Sequence, residues 1–191
     1  GSLPSLLASA VLAQEDRRFF EHRGIDFEEL WASLKRNIWS GQIIRGASTI
    51  DMQVASLCYP DYSLTRFRWL SKFREALLAL FLNRVFSKSQ TLEMYLVAAP
   101  LGEEPIVTGF PEASNRYYSS RLSELGERQI WSLVTTLRNR EYLNPNQTRD
   151  LRLISERTNR KLLSARETER ILRARVTQQL RDSPWLTETN G

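Results

Sequence analysis

Apolar positions along this chain recur at three- and four-residue intervals, the spacing of one helix face, rather than at the two-residue interval of a strand. That period predicts helices over Pro4 to Glu15, Phe27 to Trp39, Ser48 to Leu57 and Thr65 to Phe86. It predicts further helices over Ser87 to Ala98, Glu112 to Tyr118, Glu124 to Leu137, Thr148 to Leu163 and Ala165 to Arg181. Two starts carry a capping box, Ser87-Lys-Ser-Gln90 and Ser164-Ala-Arg-Glu167, in which side chains satisfy the orphan amides of the first turn. Breaks fall at Tyr59-Pro60-Asp61, from Pro100 to Pro105, and at Asn144-Pro145-Asn146. No run alternates convincingly, and there is no internal repeat, so the expected class is mainly α. After about Tyr142 the chain is rich in Arg, Glu and Thr with a thin apolar stripe (Leu151, Ile154, Leu162, then Ile171, Leu172, Val176), which reads as two surface helices packed on a core built earlier.

Composition narrows the class only a little. With 191 residues, 41% hydrophobic and 26% charged, the chain suffices for one domain with a sizeable core. Gly1-Ser2 reads as a cloning remnant, so the expectation is a piece cut from something longer. The longest apolar run, Ala76 to Leu82, is too short to span a bilayer, and any membrane anchor is expected to lie outside this piece. The single cysteine, Cys58, leaves no intramolecular disulfide to assign a redox compartment. A net charge of +5, mostly from arginine, favours anionic partners: phosphorylated substrates, anionic membranes or nucleic acid. No nucleic-acid module is recognisable, and none is expected as a partner.

Four segments could carry chemistry. In the first, Glu15 and Asp16 close an apolar helix and are followed by Arg17 and Arg18. A carboxylate at an apolar edge suits a general base or acid, although charged helix ends are also common on solvated surfaces. His22, the only histidine, lacks the neighbours of a zinc site and reads as structural, bonding Asp26 or a backbone carbonyl. In the second, Arg45-Gly46-Ala47-Ser48-Thr49 turns into a helix whose capped N-terminus offers amides to an anion. In the third, Arg68, Lys72 and Glu75 share one helical face, which fits either a diphosphate clamp or a salt-bridge ladder on a wet surface. In the fourth, Leu92, Tyr95 and Leu96 form a packing stripe after Ser87-Lys88. Between the first two, Trp31 to Ile44 interleaves aromatic and aliphatic residues with Lys35 and Arg36, as an interfacial helix does and as an ordinary amphipathic helix does too.

In this order, the segments resemble the glycosyltransferase domain of class A penicillin-binding proteins and monofunctional transglycosylases. Glu15, Asp16, Phe19, His22, Gly24 and Asp26 match its first motif, and Gly46, Ser48, Thr49, Ile50 and Gln53 its second. Lys72 and Glu75 match the third, and Ser87, Lys88, Leu92, Glu93, Tyr95 and Leu96 the fourth. A later pattern finds Gly102, Gly109, Ala113 and Tyr117. The resemblance is strong over Ala10 to Tyr118 and looser over Leu122 to Pro145.

That resemblance implies a mainly helical, lysozyme-like lobe with a smaller membrane-facing jaw at about residues 27–47, helices at about 148–182 packed on the lobe, and one domain over 1–191. It implies polymerisation of lipid II into glycan strands, with inversion at the donor's anomeric carbon and release of a polyprenyl diphosphate. It places the work at the outer face of the cytoplasmic membrane, with the growing lipid-linked glycan, the membrane surface and other wall-synthesis proteins as partners. Glu15 would be the general base, Asp16 would orient the site, and Glu75 would act at the diphosphate, directly or as ligand to a divalent cation (Mg or Mn). Lys72, Arg66 and Arg68 would neutralise the leaving group, and Ser48, Thr49 and Gln53 would line the donor cleft.

The chain departs from the family pattern at Ala47, Met52, Ser56, Ser71 and Val97, and the segment through Glu103, Glu104 and Pro105 is longer than usual. Both candidate catalytic carboxylates are kept while several donor-binding polar groups are not. The alternative is therefore a non-catalytic homologue that binds lipid-linked intermediates or wall-synthesis partners. A lysozyme-like hydrolase would need Glu15 and Glu75 to flank one scissile bond. The basic cluster around Lys72 favours a diphosphate substrate over that.

Overall fold

In the computed structural model, residues 3–40, 47–59, 68–103 and 106–137 are described, together with 168, 170 and 172–178. The elements run α1 (Leu3–Glu15), α2 (Phe27–Ser40), α3 (Ile50–Cys58), α4 (Arg68–Val85), α5 (Lys88–Ala98), β1 (Pro100–Glu103), β2 (Ile106–Thr108), α6 (Phe110–Tyr118) and α7 (Glu127–Thr136), with one 3-10 turn at Leu122–Glu124. The fold is mainly helical, as the periodicity predicts. The helix expected at 148–163 lies outside the described residues, and 172–178 of the last one are helical.

The hairpin β1–β2 corrects the expectation of no strand. It is antiparallel, pairs Pro100 with Thr108, Gly102 with Val107 and Glu103 with Ile106, and carries an irregularity between Pro100 and Gly102. Strands of four and three residues are too short to show an alternating pattern. The helix expected from Glu124 is also interrupted. Gly126 stands at the N-cap of α7 in extended conformation, and its amide donates to the Gln129 side chain at 2.8 Å.

Contacts divide the chain into two compact units. The first comprises Gly1–Arg17 and Glu93–Gly191. Here α1 packs on α7, and α1 is apolar nearly all round: Leu7, Ala8, Ala10, Val11 and Leu12 are all buried. A helix with no polar face has to be covered. Trp131, Leu133 and Val134 on α7, Leu101 and Val107 on the hairpin, and Phe110 on α6 join this core, as do Leu172 and Val176.

The second unit is Arg18–Leu92. Its core forms where α3 lies on α4, with Ile50, Val54, Ala55, Ala79 and Leu82 buried. Gly24 has φ +93° because its backbone runs against that of Ala79: a Cβ there would come within 2.7 Å of the Ala79 carbonyl oxygen.

Candidate active site

Glu15 is the last residue of α1 and is half-buried, and Asp16 beside it is buried. The Asp16 amide continues the helical pattern by donating to the Leu12 carbonyl at 2.9 Å. Arg17 Nε donates to the Ala13 carbonyl at 3.1 Å, covering one of the carbonyls that the helix end leaves open. The first-motif carboxylates are thus set side by side by the end of a helix whose residues 7–13 are all buried.

The rest of the first motif builds the other unit. Phe19 is fully buried, edge-on to Phe20 at 5.2 Å and to His22 at 6.3 Å. Asp26 accepts from the Glu29 amide at 3.0 Å, which caps α2, and lies 3.6 Å from Arg18 Nε. Arg18 also pairs with Glu21 at 3.2 Å and with Glu28. Its hydrogen bond to Glu28 raises the arginine's pKa further and lowers that of the Glu28 carboxyl. These contacts organise the loop into α2.

In the second motif, Thr49 is the N-cap of α3, where Oγ1 accepts from the Met52 amide at 3.2 Å. The same hydroxyl donates to the Gly24 carbonyl at 2.6 Å, so the first and second motifs are joined by one hydrogen bond. Ser48 and Gln53 are half-buried nearby in sequence. Met52, where the family has the first of two glutamines, is instead part of the core. Residues 41–46, with Arg45 and Gly46, lie outside the described residues.

In the third motif, Lys72 Nζ and Glu75 Oε2 are 2.5 Å apart on one face of α4. The lysine side chain is 59% exposed and the glutamate 17%, so a tethered cation is presented from a partly enclosed carboxylate. Arg66 lies outside the described residues, and Arg68 is the first residue of α4. Glu15 and Asp16 belong to one unit, and Ser48, Thr49, Gln53, Lys72 and Glu75 to the other.

One constellation was not assigned any chemistry from the sequence. Asp51, on the first turn of α3, is completely buried. It accepts from Asn83 Nδ2 at 3.0 Å and from Lys88 Nζ at 2.8 Å. The Lys88 ammonium also stands 4.3 Å from the centre of the Phe19 ring, a cation–π contact. Removing one half of such a buried pair costs roughly 3–5 kcal/mol. Its only local signal was an acid in an otherwise apolar stretch, Ile50-Asp51-Met52; the partners are 32 and 37 residues away.

The fourth motif and the later glycines are structural. Ser87 and Gln90 form the capping box of α5, with reciprocal bonds of 2.9 and 3.2 Å. Gly109, φ +81°, donates to the Ala99 carbonyl at 2.8 Å and lies so close to the Val97 backbone that no side chain fits. Tyr117 donates its hydroxyl to the Leu101 carbonyl at 3.1 Å, and burial raises its pKa.

A divalent cation at Glu75 fits only with help from a substrate. Hard cations need several oxygen ligands, and among the described residues Glu75 belongs to no cluster of three or more convergent Asp, Glu, His or Cys side chains. One carboxylate oxygen plus diphosphate oxygens and water is the combination that these residues allow.

Motif order and helical class agree with the comparison with known families: residues 1–166 match the Transglycosylase family model. The chain belongs to this family of glycosyltransferases. It is 34% identical over 158 residues to penicillin-binding protein 1B of Escherichia coli, covering 82% of this chain and 18% of that protein. It is 31% identical over 141 residues to a biosynthetic peptidoglycan transglycosylase of Nitrosospira multiformis, covering 74% of this chain and 59% of that one. Penicillin-binding protein 1F of Bacillus subtilis is 34% identical over 123 residues, or 64% of this chain and 16% of the relative. The chain therefore spans under two thirds of the length of each of these relatives.

Proposed function

We propose that this domain is a peptidoglycan glycosyltransferase that polymerises lipid II into glycan strands at the outer face of the cytoplasmic membrane. The observation that carries the reading is the Lys72–Glu75 pair, an exposed ammonium held by a partly buried carboxylate in a chain of this family. Such a pair suits a diphosphate leaving group better than a neutral sugar oxygen.

In this reading Glu15 takes the proton from the acceptor sugar's hydroxyl as that oxygen attacks the donor's anomeric carbon. The bond from that carbon to the diphosphate breaks with its electron pair, the configuration inverts, and polyprenyl diphosphate departs. Asp16 holds Glu15 in place. Lys72, with Arg66 and Arg68, neutralises the departing charge, and Ser48, Thr49 and Gln53 hold the donor. Glu75 would be the residue to hold a divalent cation, which would supply further positive charge to the leaving diphosphate.

The exposed apolar side of α2 supports a lipid-linked substrate. Phe27, Trp31, Leu34 and Ile38 recur along one side of it, Ile38 is 71% exposed and Trp39 89%, and Lys35 and Arg36 sit among them. Residues 27–47 would thus be the membrane-facing jaw of one domain spanning 1–191, with the helices at 148–182 packed on its main lobe. Among the described residues no helix is long and apolar enough to cross a membrane.

The decisive experiment is a gel assay of glycan strands made from purified lipid II in detergent with Mg or Mn, with Glu15→Gln beside the parent. Polymer from the parent alone is the expected result. A folded parent that binds lipid II without polymerising it would favour the non-catalytic reading, for which the departures at Met52, Ser56 and Ser71 provide a motive.

A further inference from the structure

We infer that Asp51 is a positioning residue, which fixes the rotation of α3 and so presents Gln53 to the donor. The inference rests on the donor-binding role proposed above for Gln53.

Positions 49 and 53 are four apart and share a side of the helix, whereas position 51 points the opposite way. Asp51 is therefore the rear anchor of the turn whose front carries the half-buried Gln53, with the Thr49 cap buried beneath it. The apolar neighbours Ile50 and Val54 are buried, but apolar packing is not directional and permits rotation about the helix axis. The two carboxylate oxygens supply direction. Oδ1 is bound by Asn83 of α4 and Oδ2 by Lys88 of α5, so the plane of the carboxylate is fixed by two different helices.

Lys88 extends the tether. Its side chain is 17% exposed, and its ammonium lies against the face of Phe19. The Thr49 hydroxyl closes the arrangement from the front by donating to Gly24. Residues of the first, second and fourth motifs, together with Asn83 of α4, thus bear on the first turn of α3. Stability alone does not explain the pair, since well-packed apolar residues replace buried ion pairs without loss in many proteins. What apolar replacements lack is a preferred rotation.

The test uses the full chain and the double variant Asp51→Leu with Lys88→Met, which removes both charges together and leaves neither one buried alone. Three quantities are read: thermal midpoint, hydrogen exchange at the amides of residues 50–53, and lipid II turnover with kcat separated from KM. The expected result is a midpoint near the parent's, exchange at residues 50–53 at least about tenfold faster, and kcat lower by roughly 10- to 100-fold, the scale of a small misplacement of reacting groups. Lys88→Arg, which keeps the charge, should retain most of the turnover.

Parental exchange and parental kcat in a folded double variant would overturn the inference. If the double variant does not fold, Asp51→Asn, which keeps the volume, is read in the same way with the same two outcomes. If the parent itself makes no polymer, the proposed function fails on that result, and the exchange rates at residues 50–53 alone decide for or against Asp51.

Discussion

The unit containing α1 and α7 hides its large apolar side chains, and the unit containing α2 and α4 displays them. Among the described residues, twelve of thirteen exposed large hydrophobic side chains lie within Arg18–Leu92, and Val97 is the exception. Both units are helical and both come from the same apolar periodicity. The difference is that α1 has found cover on every side, whereas α2 carries Phe27, Trp31, Ile38 and Trp39 outward. Scattered exposed apolar residues need no explanation, but a concentration of this kind marks a surface that meets something else. In the proposed function that something is the membrane holding the substrate's lipid. One unit then supplies the base on a rigid helix end, while the other handles lipid and diphosphate.

The largest expected effect concerns the rigid unit. Glu15→Gln should lower the polymerisation rate by roughly 10²- to 10⁴-fold, the usual worth of a general base, with an unchanged thermal midpoint. A drop in the midpoint would make Glu15 structural and remove the division of labour. Next, Leu12→Ala should cost about 2–5 kcal/mol of stability in denaturant titrations, because it empties a fully buried position. Leu34→Ala on the open side of α2 should change stability by no more than about 0.5 kcal/mol. Equal costs at the two positions would contradict the contrast between covered and open helices.

Replacing Ile38 and Trp39 together by Asp should weaken binding to anionic vesicles by about tenfold or more, since each buried apolar side chain contributes on the order of 1.5–3 kcal/mol. The midpoint should hold, and vesicle binding at the parental level would show that α2 faces something other than lipid. The smallest effect is a pH dependence at the entrance to α2. Arg18 holds the Glu28 carboxyl below its usual 4.5. The stabilisation is therefore present above pH 4.5 and is lost as pH falls through the lowered folded-state value. The pair is exposed, so the change is slight, and Arg18→Ala should flatten it in midpoints measured down the acid range.

Much of this was legible in the sequence for a physical reason: helices and caps are local. The apolar faces, the Thr49 cap and the Ser87–Gln90 box all depend on residues within four positions of each other. The Lys72–Glu75 pair is an i,i+3 contact and could be read from spacing too. The hairpin escaped because its strands are too short to show a period. The Asp51–Asn83–Lys88 network escaped because it joins three helices, and no local pattern encodes which acid meets which amine. From spacing His22 lacks the company of a zinc site; the structure sets it edge-on to Phe19 and brings a ring nitrogen within 4.8 Å of an Asp51 carboxylate oxygen, a neighbour that local spacing does not show.

Met52 has a consequence for the history of this chain. A side chain that has joined the core is held by its neighbours as well as by its task. Reinstating glutamine there would place an amide at a buried position of the first turn of α3, at a penalty of about 1–3 kcal/mol unless partners were found for it. The departure from the family pattern thus acts as a ratchet. Once the site had learned to work, or to bind, without that glutamine, the interior closed over the vacancy, and the way back became uphill.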